Sequence, residues 1–175
     1  MTGTSRRSGL EIVHDWCGRP IGQDETVRID LTLDADALVI DVAAPLHDDP
    51  PPAVPSGSCD GLWNHEVVEL FLLGERDRYL EIELGPFGHY LVLQLEGRRN
   101  IVEAGQAIEY GVQRGSVGWT GRAVVPAAWI PEPVGLGNAY AIHGLAADRR
   151  YRALHPVPGD APDFHRLECF GPIGL

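Results

Sequence analysis

An all-β fold, an antiparallel β-sandwich of jelly-roll type with little helix, is what the sequence predicts, on three observations. Short apolar and polar alternations recur along the chain, about nine or ten of them at regular spacing. No stretch of about a dozen residues carries a helical period. Clusters of Gly, Pro, Asp and Ser separate one run from the next, which is the composition of turns.

In order along the chain, residues 1–9 read as a mobile N-terminal tail and 10–175 as one β-sandwich domain. A first strand is expected over Leu10 to Trp16, ended by Gly18-Arg19-Pro20. Thr26 to Leu33 and Ala37 to Ala43 form a hairpin around Asp34-Ala35-Asp36. From Pro45 to Gly61 the composition turns to Pro, Asp, Ser and Gly, including Pro50-Pro51-Pro52, which no strand or helix interior holds, so a long loop delivers Leu62 and Trp63. After the central segment come runs at Ile101 to Ala104, Ile108 to Arg114 and Val117 to Val125. One helical turn is expected within Val125 to Ile130, stopped by Pro131 and Pro133. Strands over Asn138 to Ala147, Tyr151 to His155 and Phe164 to Phe170 close the chain.

The rest is organised around Leu62 to Asn100, read as a three-stranded antiparallel meander broken at Gly74 to Asp77 and at Gly85-Pro86-Phe87-Gly88. Directly opposed residues share a face, so loop length decides which side chains meet. A five-residue loop from Gly74 to Arg78 places Phe71 opposite Glu81 and Glu69 opposite Glu83, and leaves Leu70 opposite Leu80. Sorting by polarity selects this register over a four-residue loop, which sets Leu70 against Glu81. Carried through the next turn, it puts Leu91, Leu93 and Leu95 on the aliphatic face and Tyr90, Val92 and Gln94 on the other. His65, Glu69, Tyr79, Glu81, Glu83, Tyr90 and Gln94 then share one polar and aromatic face.

At 175 residues and 44% hydrophobic, the chain is long enough to bury one core without disulfides or metal. Its net charge of −11 argues against a nucleic acid or a membrane surface as partner, since both demand a basic face. Cys17, Cys59 and Cys169 are odd in number and widely spaced, with no CxxC, so neither a disulfide framework nor a zinc ribbon is indicated. With no apolar run after Arg6 and Arg7, and nowhere about 18 apolar residues in succession, a cytoplasmic protein is expected.

The runs LWNHEVVELFLL, YLEIELGPFGHYLVLQLEGRRN, YAIHG, YRALHPVP and PDFHRLECF resemble those of a small uncharacterised protein family with bacterial and animal members, over nearly the whole chain after the tail. That resemblance implies no activity. The succession Trp63, Val68-Glu69-Leu70-Phe71, Tyr79-x-Glu81-x-Glu83 and Pro86-x-Gly88 is similar to family 9 carbohydrate-binding modules and to DOMON-like sandwiches. It implies a jelly-roll-like pair of sheets with a sugar or haem bound across one sheet or its rim. Haem of the DOMON cytochrome kind takes a Met and a His, yet the only methionine is Met1, so haem is not expected.

The candidate ligand-binding residues are Trp63, His65, Glu69, Tyr79, Glu81, Glu83, Tyr90, Gln94, Arg98 and Arg99, and the expected ligand is a small polar molecule such as a saccharide. Aromatic faces stack on sugar rings, while Glu, Gln and Arg bond their hydroxyls. Trp119 and Trp129, among apolar neighbours, read as core. Two alternatives stand beside this reading: a sugar-acting enzyme, whose paired carboxyls sit about 5 to 9 Å apart, and a protein-interaction module. Glu81, set between two other glutamates, needs a cation or a proton; Arg98 and Arg99 are the expected donors, failing which a bound metal or a raised carboxyl pKa takes their place. No metal ligand is assigned. His47-Asp48-Asp49 and Asp60 form an oxygen-rich stretch that could hold calcium but lack EF-hand spacing. His143, His155, Asp163, His165 and Glu168 match no zinc spacing.

Overall fold

The computed structural model describes residues 5–175 and consists of strands joined by loops and single turns of 3-10 helix. The strands are β1 (Arg6–Ile12), β2 (His14–Asp15), β3 (Val27–Leu33), β4 (Ala37–Pro45), β5 (Gly57–Ser58), β6 (Val67–Leu73), β7 (Arg78–Leu84), β8 (His89–Glu96), β9 (Ile101–Ala104), β10 (Glu109–Arg114), β11 (Gly118–Pro126), β12 (Leu136–His143), β13 (Arg150–Ala153) and β14 (Gly171–Pro172). They form two sheets. One runs β1-β3-β4-β11-β10; the other runs β2-β13-β12-β6-β7-β8-β5, with β14 beside β12 and β9 beside β8. Every pairing is antiparallel except β5 with β8.

Alternation produces the layers. Along β3 the residues Val27, Ile29, Leu31 and Leu33 are buried, while Arg28 and Asp30 between them are exposed. Leu38, Ile40 and Val42 of β4 and Ala123 and Val125 of β11 do the same. This apolar face packs on Val68, Leu70 and Leu72 of β6 and Leu80, Ile82 and Leu84 of β7, forming the inter-sheet core. Such two-layer burial is what holds a sandwich together. Trp119 lies in this core, with Trp129 packed on its edge.

Several sequence boundaries move. The first strand begins at Arg6, so residues 6–9 belong to β1 rather than to a tail; residues 1–4 of that tail lie outside the described residues. The run from Leu10 breaks into β1 and β2. Phe164 to Phe170 is no strand: it carries a 3-10 turn at Leu167–Cys169, and only Gly171–Pro172 pairs. No described helix is long and apolar enough to cross a membrane.

In the meander the first register stands and the second does not. Phe71 faces Glu81 and Glu69 faces Glu83. Leu70 lies opposite Ile82, and Leu72 opposite Leu80, in place of the expected Leu70 to Leu80 pair, though all four share the aliphatic face. Beyond Gly85 the expected faces are exchanged. Gly85 donates its N–H to His89 at 2.9 Å, so Gly85 and His89 close a loop of Pro86, Phe87 and Gly88, with Gly88 at φ 82 supplying the left-handed turn residue. This loop is one residue shorter than a turn over Gly85 to Gly88 with both ends unpaired. A one-residue change reverses every side chain beyond it. Tyr90, Val92 and Gln94 therefore share the face of Leu84, Ile82 and Leu80, and Leu91, Leu93 and Leu95 share the face of the glutamates.

Candidate functional site: a buried glutamate cluster beneath an aromatic cleft

The outer face of the β6-β7-β8-β12 layer carries Val67, Glu69 and Phe71; Tyr79, Glu81 and Glu83; Leu91, Leu93 and Leu95; and Tyr140 and Ile142. It is roofed by Leu62 on one side and by Val157, Phe164 and Phe170 of the C-terminal segment on the other, as a second apolar cluster. Phe164 stacks on Tyr140 with ring centroids 3.8 Å apart, and the Tyr140 hydroxyl donates to the Phe164 carbonyl, which pins the roof to the sheet.

Three carboxyls are enclosed in this layer. Glu69, Glu81 and Glu83 are 2%, 4% and 0% exposed, and one oxygen from each lies within 4.8 Å of the others. Among the described residues, Glu81 Oε2 and both oxygens of Glu83 have no hydrogen-bond partner. The expected guanidinium partners are elsewhere: Arg98 and Arg99 both bind Asp163, the latter at 2.7 Å. Their exposed position past the end of β8 lets them meet a surface carboxylate without losing water, whereas reaching the buried cluster would strip their hydration. The other nearby charge, Arg149, spends its N–H groups on the carbonyls of Trp63, Asn64, His65 and Gly144.

Burial without partners forces protons onto the cluster. Desolvation pushes Glu69 and Glu83 well above the ordinary carboxyl range, and the like charges of their neighbours push them further; Arg149 offsets part of this at Glu69. Glu81 rises to about 7, raised by burial and held back by its contact with Glu83 and by Arg99.

His165 leans over the cluster, its Nε2 3.9 Å from Glu81 Oε2. The Arg99 N–H donates to the Tyr79 oxygen at 3.0 Å, so the phenol hydrogen is free for His165 Nδ1, 2.7 Å away. Burial, with Arg99 adding to it, lowers the His165 pKa to about 4, so the ring is neutral.

A cleft of about 430 Å³ opens over Glu69 and Glu81. Its lining includes the aromatic residues Trp63, Tyr151 and Phe164 and the polar residues Arg99, Arg149 and His165. Trp63 is 41% exposed and forms the rim. A larger, shallow concavity of about 550 Å³ lies around Thr26, Arg28, Arg114 and Trp119. It holds none of the buried titratable groups.

Of the sequence candidates, Trp63, Glu69, Glu81 and Arg99 line the cleft, and Glu83 and Tyr79 support its floor and side. Four depart. Tyr90 is on the opposite face, packed on Tyr110 in the inter-sheet core, and Gln94 bonds Gln106 and Glu103, both because of the shortened turn. His65 lies under the rim and bonds the Pro50 carbonyl, and Arg98 sits on Asp163. Arg149, Tyr151, Phe164 and His165 line the cleft without standing among the sequence candidates for it; of the four, only His165 carries a functional reading in the sequence, as part of the metal set.

That set does not assemble. His143 stacks on His47 at 3.4 Å, His155 bonds the Pro172 carbonyl, and Glu168 pairs with Arg166. Nor do the loop acids gather. Asp49 accepts from the Gly144 N–H, and the His47 and Asp49 N–H groups are spent on Glu66.

Fold and cleft together define an antiparallel β-sandwich that carries an acid-floored, aromatic-walled cleft on the outer face of one sheet. Among solved structures, a protein of Bacteroides uniformis provisionally described as carbohydrate-binding superposes at TM-score 0.69, with 17% identity, over 94% of this chain and 84% of that one. A family 9 carbohydrate-binding module from Caldicellulosiruptor kristjanssonii, in complex with cellotriose, superposes at TM-score 0.49 with 13% identity, over 87% and 73%. No protein-family model matches the chain. In sequence it is 42% identical over 175 residues to the UPF0462 protein C4orf33 homolog of Rattus norvegicus, spanning 95% of this chain and 87% of that protein. To human UPF0462 protein C4orf33 it is 40% identical over 170 residues, spanning 92% and 85%. The chain belongs to the UPF0462 (C4orf33) family, an uncharacterised family with animal members.

Proposed function

We propose that this protein binds a saccharide in the cleft above Glu69 and Glu81. The observation that carries the reading is one cleft of about 430 Å³ lined by both an exposed tryptophan, Trp63, and two buried carboxyls, Glu69 and Glu81. A sugar ring presents an apolar face and an edge of hydroxyls, and a site for it needs both an aromatic plate and fixed donors and acceptors. Glu69 and Glu81 accept or donate according to their protonation, and Arg99 donates from the wall. The fold shared with a protein of provisional carbohydrate-binding description agrees with this reading.

A second reading, an enzyme acting on the same class of ligand, has one observation in its favour: Glu81, with a pKa of about 7, is poised to exchange a proton near neutrality.

A thermal-shift screen against mono- and oligosaccharides tests the proposal, because a ligand confined to the native state raises the melting temperature. Hits are titrated calorimetrically against wild type and Trp63→Ala, and assayed for conversion. Binding lost in the variant, without conversion, supports the module; conversion abolished by Glu81→Gln replaces it with the enzyme. A panel with no hit, or hits that ignore Trp63, refutes the site.

A further inference from the structure

We propose that Glu69, Glu81 and Glu83 form a site for a hard divalent cation, of the calcium or manganese kind, at the floor of the cleft. This goes beyond the saccharide reading and does not depend on it.

The first support is geometric. One oxygen from each carboxyl lies within 4.8 Å of the others, so a central point stands no more than about 2.8 Å from any of them, a few tenths of an ångström outside the about 2.3–2.6 Å of a calcium to oxygen bond. Small side-chain adjustments bring all three onto a central ion with the strands where they are, because β6 and β7 set Glu69 directly opposite Glu83 and place Glu81 next on the same face.

The second is independent of spacing. Glu83 is fully enclosed, yet neither of its oxygens has a partner among the described residues, and Glu81 Oε2 shares that condition. Buried carboxylates are otherwise paired or coordinate metal, since an isolated one is costly to desolvate. The protein's own cations do not meet the need. Arg98 and Arg99 are held by Asp163, Arg149 by four carbonyls, and His165 meets the Tyr79 hydroxyl through Nδ1 at 2.7 Å.

Donor chemistry selects the ion. Three carboxylates, with no thiolate among the three, favour hard cations over soft ones. Coordination of about six to eight leaves positions for oxygen donors from the cleft side, where Glu69 and Glu81 meet solvent-accessible space.

The test uses the full chain, stripped with EDTA and dialysed, titrated calorimetrically with CaCl₂ and, separately, with MnCl₂, with no sugar present. Wild type should take up one ion per chain, with a rise in melting temperature. Glu83→Gln keeps the side-chain shape and removes one charge. It should lose affinity by at least about 100-fold, the upper figure for loss of even an outer-shell partner. Asp48→Asn, in the exposed loop, should bind as wild type does. Glu69→Gln is run alongside as a second variant, and melting curves of both Gln variants establish that they fold. Absence of uptake by wild type, or equal uptake by wild type and two folded Gln variants, overturns the site. Because sugars are absent, failure here leaves the saccharide reading untouched, and failure of the sugar screen leaves the ion result standing.

Discussion

Glu69 lies directly opposite Glu83 on neighbouring antiparallel strands, and both are buried. Like charges so placed oppose the sheet that positions them, so the native state of the metal-free protein holds protons there that an unfolded chain would release at neutral pH. The pH dependence of stability should show this. Glu69, Glu81 and Glu83 have raised pKa values in the fold. Above the ordinary glutamate pKa the native state binds more protons than the unfolded chain, and stability falls as pH rises through the folded values. In EDTA, Glu81 alone should lower the unfolding free energy by about 2 kcal/mol between about pH 5.5 and pH 8, and Glu69 and Glu83 add to the fall. Glu83→Gln should flatten that slope and be the more stable protein at the upper end. A flat wild-type profile in urea titrations across this window contradicts the cluster's protonation.

At the acid end the sign reverses. Arg152 holds the Glu25 carboxyl below its usual range against the effect of burial, and Arg99 and Arg98 do so for Asp163. Their contribution is present above the unfolded carboxylate pKa and is lost as pH falls through the lowered values. Asp163→Asn should cost no more than about 1 kcal/mol at neutral pH, because its arginines are exposed, and should shift the acid unfolding midpoint. An unchanged midpoint shows that Asp163 does not contribute.

Tyr79→Phe removes the hydroxyl that joins the Arg99 N–H to His165. The expected cost is about 1–3 kcal/mol, since a buried donor and acceptor lose their partner. Hydrogen exchange should also quicken at the Arg99 amide. Protection equal to wild type at that amide argues against the bridge.

Gly137 on β12 has no room for a side chain: a Cβ there would stand 2.2 Å from the Phe71 carbonyl oxygen. Gly137→Ala should therefore displace β12 from β6 and destabilise by about 1–3 kcal/mol or more, the range for overpacking. Gly135→Ala, with nothing within 4 Å, is the control and should stay within about 0.5 kcal/mol. Equal chemical-denaturation midpoints for the two would be inconsistent with this packing.

Trp63→Ala separates site from scaffold. The indole is 41% exposed, and the Arg149 guanidinium holds the Trp63 backbone rather than its ring. Stability should change by no more than about 0.5 kcal/mol, while affinity for any sugar that binds the cleft falls. A large loss of melting temperature would place the ring in the core instead.

Local chemistry was legible in the sequence. Period-two alternation placed most strands, Pro and Gly clusters placed the loops, and the clash of Leu70 with Glu81 chose the register that sets Glu69 against Glu83. Polarity can choose a register only where the two alternating sets differ. In β8 they do not: Leu91, Leu93 and Leu95 are as apolar as Tyr90 and Val92, so turn geometry at Gly85 and His89 decided the face, and with it the fates of Tyr90 and Gln94. Tertiary structure alone decided the rest of the site. The segment bearing Phe164 and His165 folds back over a sheet nearly a hundred residues earlier in the chain, and Arg149 arrives beneath Trp63. Which guanidinium meets which carboxylate depends on desolvation as much as on distance. Arg98 and Arg99 therefore bind Asp163 at the surface, and three glutamates remain in the interior without a hydrogen-bonded cation among the described residues.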